Sequence, residues 1–355
     1  MYKNEQSKKG IGEIMSGLSL KYRLLKRILK LIGFKKHFNA NERDMIAKAR
    51  KSMDKTKIPV LSHSEINYEI KDFYGEKVVY ITHKEQAKEV CLFLIGGGML
   101  EHPRPNSIKK ALEIAVESGR DMVIPYYPLC INHTIDEVFD WIYALYKSML
   151  NTYSASNILI TGSSSGATLA LGLVSHINVM HENIEVPKRI YASSPGQCFT
   201  DEELIRKGRI LDKKDILLSV SYMEIIDKIM THGKTVQEYM LYLEKGDYHG
   251  LEEVYLSYGS DEVLYAAYEP IKTKLEECGV RVISEIGENL YHCYPFFPIV
   301  REAKKGWKNM LEYHKRNVEK LVFLAGTEGH PDYEFGNWMK HLAIMDTCYE
   351  LSGTL

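Results

Sequence analysis

What the chain lacks narrows it first. No uninterrupted apolar run in its 355 residues approaches the roughly 20 residues that span a bilayer. Met1 is followed by polar residues rather than by the apolar core of a signal peptide, so a soluble, cytoplasmic protein is expected. Charge of one sign is also missing. With 46 Lys and Arg against 47 Asp and Glu, the formal net charge is −1, which leaves no global field for nucleic acid. The six cysteines (Cys91, Cys130, Cys198, Cys278, Cys293 and Cys348) have no C-x-x-C spacing, which argues against a structural zinc site or a disulfide framework and suits a reducing compartment. G-x-G-x-x-G does not occur and no G-K-[ST] follows the glycine triplet Gly96-Gly97-Gly98, so the triplet is a poor phosphate cradle. No metal or organic cofactor is implied.

What is present is a chain long enough, at 45% hydrophobic residues, to bury a large core: one big α/β domain with additions, or two domains. Residues 16 to 36 alternate apolar with basic residues at helical spacing and contain no acid. That pattern predicts a basic amphipathic helix, either a flank or lid helix packed on its own protein or a peripheral contact with an anionic membrane surface. A second helix is expected from about Glu42 to Met53, then two antiparallel strands over Tyr68 to Tyr74 and Lys77 to His83. Glu89 to Gly98 reads as a buried strand ending in glycines, followed by a helix, the strand Asp121 to Pro128, and a helix carrying Trp141, Ile142, Leu145 and Met149. Strands at Arg189 to Ser193, Leu251 to Tyr258 and Val280 to Ile286 continue the rhythm, with helices over Val263 to Cys278 and Pro298 to Arg316. A polar helical segment, about Thr200 to Tyr248, interrupts it as an insertion. Such alternation specifies a mostly parallel sheet covered on both faces.

The stretch with chemistry in it begins at Asn157. Ile158, Leu159 and Ile160 suit a buried strand, and Ala167 to Leu173 suit a helix packed on the sheet. Between them, Gly162-Ser163-Ser164-Ser165-Gly166 fits G-x-S-x-G, the turn that holds a serine exposed between strand and helix. Ser164 is the central residue. A serine hydroxyl needs a base to take its proton, and the base needs a carboxylate to hold its tautomer. In this fold class both follow later strands, in the order Ser, Asp/Glu, His. Asp261, in Gly259-Ser-Asp-Glu-Val-Leu, and His292, in Gly287-Glu-Asn-Leu-Tyr-His, meet that order, with Glu262 as the fallback acid. His249 precedes the acid and His330 lies beyond the last expected helix, so both are poor bases. Acyl transfer also needs donors for an oxyanion. The backbone N–H of Ser165, next to the nucleophile, supplies one, and the glycines after the strand supply the others.

With these pieces assembled, the chain resembles the hormone-sensitive-lipase-like branch of the α/β-hydrolases over about residues 70 to 315. LIGGGM resembles its H-G-G-G oxyanion loop, YYPL at 126 to 129 the strand end that follows, GSSSGATLAL its G-D-S-A-G elbow, SSPG the turn before the lid, GSDEVL the acid loop and ENLYH the histidine loop. The resemblance implies an α/β-hydrolase fold with a helical lid, a triad of Ser164, Asp261 and His292, and oxyanion donors Gly97, Gly98 and Ser165. It implies a core over 61–197 and 249–316, with a lid from residues 1–60 and 198–248. The expected activity is hydrolysis of small carboxylic esters with short to medium acyl chains. An amidase or deacetylase uses the same apparatus, and a non-catalytic binding protein keeps the fold without turnover. Departures are Ile95 where the loop histidine is usual, Ser163 for Asp, and Gly196 for an aromatic. Residues 317–355 extend past the usual end; Val318 to Ala325 reads as a strand and Asn337 to Leu351 as a helix, with an edge addition or a subunit contact as the expected role.

Overall fold

Apolar runs too short for helices, bounded by turn residues, become strands. In the computed structural model, which describes residues 18–31, 35, 41–85, 87–199 and 201–316, eight of them form one sheet. They are β1 (Ile66–Phe73), β2 (Glu76–His83), β3 (Val90–Leu94), β4 (Asp121–Pro125), β5 (Ile158–Ser163), β6 (Arg189–Ser193), β7 (Glu253–Gly259) and β8 (Arg281–Gly287). Their spatial order is β1-β2-β4-β3-β5-β6-β7-β8. β1 and β2 form an antiparallel hairpin and β2 meets β4 antiparallel, while every pairing from β4 through β8 is parallel. All residues of β3 to β7 are buried, as strands covered on both faces must be.

The helices between them are α1 (Leu20–Leu31), α2 (Glu42–Met53), α3 (Pro105–Ser118), α4 (Ile135–Met149) and α5 (Ser165–Met180). The 198–248 insertion contributes α6 (Glu202–Asp212) and the short α7 (Val220–Met223) and α8 (Ile226–Thr231); α9 (Tyr268–Glu277) and α10 (Arg301–Lys315) complete the set. Helix starts follow their sequence signals: Asn41 caps α2 by accepting from the Asp44 N–H, and Thr134 with Glu137 forms a capping box on α4. The expected helix over Val263 to Cys278 opens instead as a 3₁₀ turn, Val263–Ala267, before α9. No helix among the described residues is long and apolar enough to cross a membrane. The chain divides after Lys315. The strand and helix expected within 317–355 lie outside the described residues.

Chain order decides where a site can form. From β3 the chain moves through α3 to β4 on one side, then returns through α4 to β5 on the other side of β3. The loops after β3 and β5 therefore leave the sheet in opposite directions, opening a crevice at the carboxyl ends of the strands. α5, which begins there, is buried along Gly166 to Ile177. Leu169, Leu171 and Leu173 are each fully buried, and each side chain of that kind contributes about 1.5–3 kcal/mol. A Cβ on Gly172 would come within 2.5 Å of the Phe139 ring, so this glycine lets α4 and α5 approach closely.

Candidate active site

The turn from β5 into α5 places Ser164 at φ +53° and ψ −129°, a conformation costly to any side chain. Its neighbours hold it there. The Ser164 N–H donates to the Ser193 carbonyl at 2.8 Å, and its own carbonyl accepts from the Ala167 and Thr168 N–H groups. The flanking glycines answer to contact as much as to conformation: a Cβ on Gly162 would sit 2.4 Å from the Ala167 Cα, and one on Gly166 would sit 1.9 Å from the Leu94 carbonyl oxygen. The elbow is thus wedged between β3 and the first turn of α5.

Two later loops converge on it. The Ser164 Oγ lies 2.8 Å from the His292 Nε2. On the other side of the ring, the His292 Nδ1 hydrogen-bonds the Glu262 Oε2. Glu262 is fully buried, and its other oxygen accepts from the Ser194 hydroxyl at 2.8 Å and the Gly259 N–H at 2.9 Å. Ser194 links the three loops: it donates to Glu262, and its Oγ accepts from the Cys293 N–H at 3.0 Å. Burial of the imidazole works to lower its pKa, but Cys293 and Glu262 beside it more than offset this, and the net shift is well above the ordinary value. The Cys293 Sγ sits 3.5 Å from the Nε2 that faces the serine.

Asp261 does not touch the histidine, which corrects the expected acid. Its carboxylate turns the other way and binds the Lys26 Nζ of α1 at 2.6 Å, with Lys214 at 4.0 Å. Adjacent residues of an extended turn point to opposite sides, so only one of the pair can reach His292. The signal that favours Glu262 is its distance from Gly259: a glutamate reaches back to the N–H three residues earlier, as in a capping box. His249, set aside from the sequence, is paired with Asp247 at 2.6 Å, and His330 lies outside the described residues.

The glycine loop lies over the elbow. The Gly97 N–H donates to the Ser165 Oγ at 3.1 Å, the Met99 N–H donates to the same oxygen at 3.3 Å, and the Gly96 N–H donates to the Ser163 Oγ at 3.2 Å. Of the three expected oxyanion donors, Gly97 is therefore engaged with a side chain. The N–H groups of Gly98 and Ser165 have no protein acceptor among the described residues. Ile95 supplies no polar side chain, yet its carbonyl accepts from the buried Tyr127 hydroxyl at 2.8 Å. The loop is anchored from its neighbours and by its own turn, in which the Gly97 carbonyl accepts from the Leu100 and Glu101 N–H groups.

Three contacts close the insertion and the N-terminal helix onto this centre, and sequence reasoning identified none of them. Tyr222, in α7, donates to the Gly98 carbonyl at 2.6 Å. Asp215 accepts from the Leu217 and Leu218 N–H groups with one oxygen and from the Val263 N–H, just after Glu262, with the other. Burial raises the Asp215 pKa to about 6 against those hydrogen bonds. Tyr22 of α1 donates to the Asn289 carbonyl at 2.8 Å in the histidine loop. Asp215→Ala would strand three N–H donors, two of the insertion and one of the acid loop. We expect a loss on the order of 3 kcal/mol, read as a lowered Tm, and an unchanged Tm would show that this clamp contributes nothing.

For a metal, Asp247, His249 and Cys278 form the one group of three among the described residues whose ligand atoms lie within 4.8 Å of one another, and it shares no residue with the elbow. The elbow itself presents a hydroxyl, an imidazole and a carboxylate in series, an arrangement suited to nucleophilic attack.

The family described as alpha/beta hydrolase fold matches residues 91–296. No curated protein matches the chain. Among solved structures, an esterase/lipase from an uncultured bacterium superposes with a TM-score of 0.69 at 18% identity, covering 84% of this chain and 98% of that one. An esterase of the bacterial hormone-sensitive lipase family does so at 0.66 and 19%, covering 81% and 97%. A hormone-sensitive lipase from a metagenome library gives 0.68 and 18%, covering 83% and 98%. These likenesses are of fold. The family match is of sequence, and it runs from the strand before the glycine loop through the elbow and Glu262 to beyond His292. Spanning more than half of the chain, it settles what the resemblance only implied: the protein belongs to the α/β-hydrolase fold family.

Proposed function

We propose that the protein is a serine hydrolase that cleaves carboxylic esters through an acyl-enzyme intermediate, with Ser164, His292 and Glu262 as its triad. The observation that carries this is the unbroken hydrogen-bond series from the Ser164 Oγ through both nitrogens of His292 to Glu262. Ser164 attacks the ester carbonyl carbon while His292 takes the serine proton on Nε2. The carbonyl oxygen becomes an oxyanion facing the N–H groups of Gly98 and Ser165. As the intermediate collapses, the bond to the alcohol oxygen breaks and His292 returns the proton to that oxygen. Water, deprotonated by His292, then releases the acid. Glu262 keeps the proton of the resting ring on Nδ1 and stabilises the cation that forms.

Esters rather than amides are favoured because the similar folds are described as esterases or lipases. One further structure of this fold was soaked with p-nitrophenyl butyrate, which supports a short to medium acyl group. The insertion and the N-terminal helices act as the lid, on the contacts of Tyr222, Asp215 and Tyr22. A non-catalytic reading drew on Ile95, but the loop is held by Tyr127, Ser163 and Ser165 instead.

A fluorophosphonate probe tests the assignment. The folded protein should be labelled once, at Ser164, and should turn over p-nitrophenyl acetate and butyrate faster than the matched anilides. Folded protein that neither takes the label nor cleaves either ester would overturn the reading.

A further inference from the structure

The N-terminal helix α1 carries two apolar faces, and the fold uses one. At about 100° per residue, Leu18, Tyr22, Leu25 and Leu29 fall on one side, and these pack on Leu290, Tyr291 and Ile216. Tyr22 is fully buried, and Lys26, on the same side, binds Asp261. Leu20, Leu24, Ile28 and Leu31 fall within an arc of about 80° on a different side. These four are 75%, 58%, 45% and 85% exposed. Four large aliphatic side chains in line on a 12-residue helix are a patch, not scattered exposure. Cations flank it on both sides: Lys21 beyond one edge, Arg27 and Arg23 beyond the other, with Lys30 next. The helix has no acid, so nothing on it repels an anionic surface.

We propose that this second face docks the protein on an anionic lipid surface. Apolar side chains flanked by Lys and Arg suit a helix lying in the headgroup boundary, leucines toward the acyl chains and cations toward phosphate. The charge selects this occupant over a second copy of the chain, because two copies of α1 would bring cation against cation. The opposite face of α1 touches the acid and histidine loops through Lys26 and Tyr22, so docking sets the catalytic crevice close to the lipid. If the ester-hydrolase reading holds, on which this part rests, the substrates reached are esters dissolved in or drawn from that lipid.

The test is co-sedimentation of the full chain with vesicles of phosphatidylcholine alone or with phosphatidylglycerol. Binding is expected only to the anionic vesicles and should fall at least about tenfold at roughly 0.5 M salt, where charge is screened within a few ångströms. Leu24→Ser with Leu31→Ser should lower partitioning at least about tenfold while leaving turnover of p-nitrophenyl butyrate unchanged, since neither residue touches the site. Ser164→Ala should bind vesicles like the parent, which separates this proposal from the catalytic one. Protein that stays in the supernatant, a double variant that binds as the parent does, or a parent dimer that the double variant abolishes would each overturn it.

Discussion

Ser164→Ala is expected to lower kcat/KM for p-nitrophenyl butyrate by at least about four orders of magnitude, with the melting temperature close to that of the parent. In the proposed mechanism the serine oxygen forms the covalent intermediate, so without it only the oxyanion donors and binding remain to accelerate attack by water. The substitution removes one oxygen from a turn held by backbone contacts, namely the bond to Ser193 and the two from Ala167 and Thr168, and these survive in alanine. Activity is lost and the elbow is kept. His292→Ala should cost a similar factor, and the double variant little more than either, because base and nucleophile act as a unit. Turnover of Ser164→Ala at the parental rate would remove the serine from the mechanism.

The sequence was most legible where packing leaves little choice. Fully buried strands must be short apolar runs, so β6 is found at its expected bounds and β7 within two residues of its own. The elbow was legible because Gly162 and Gly166 answer to atoms within van der Waals contact, a demand that survives any change of lid. The carboxylate beside His292 was not, because the choice between Asp261 and Glu262 turns on which way two neighbouring side chains face. That is set by Ser194 and Gly259 on one side and Lys26 on the other. Partners more than 200 residues apart, such as Lys26 and Asp261, leave no periodicity to read. The role of Gly97 was hidden for a related reason: it depends on a hydroxyl at Ser165 that the resemblance places in an alanine position.

The adjacent acids give the sharpest test of the site, because the two substitutions should part in opposite ways. Glu262→Gln keeps the volume and one acceptor oxygen, but it presents either a neutral oxygen or an amide to the His292 Nδ1. The ring then loses its charged partner and, with the amide turned inward, its productive tautomer. A fall in kcat of roughly three to four orders of magnitude is expected. Asp261→Asn removes the charge that pairs with Lys26, keeping only a neutral acceptor, and leaves His292 untouched. It should change kcat by no more than a few fold while lowering stability by on the order of 1–3 kcal/mol, since a largely buried ion pair is reduced to a hydrogen bond with a neutral acceptor. The pH profile adds a readout that instability cannot imitate. His292 must be neutral to accept the serine proton, and its pKa stands well above the ordinary imidazole value, held up by Cys293 and Glu262 against burial. The acid limb of kcat/KM should therefore lie above about pH 6.5 in the parent. Loss of the Glu262 charge takes away support for the cation, so the limb of the residual activity should move to lower pH in Glu262→Gln and stay in place in Asp261→Asn. The reverse pattern, with Asp261→Asn inactive and shifted, would return the acid's role to Asp261 and require the loop from Gly259 to Val263 to turn over when substrate binds.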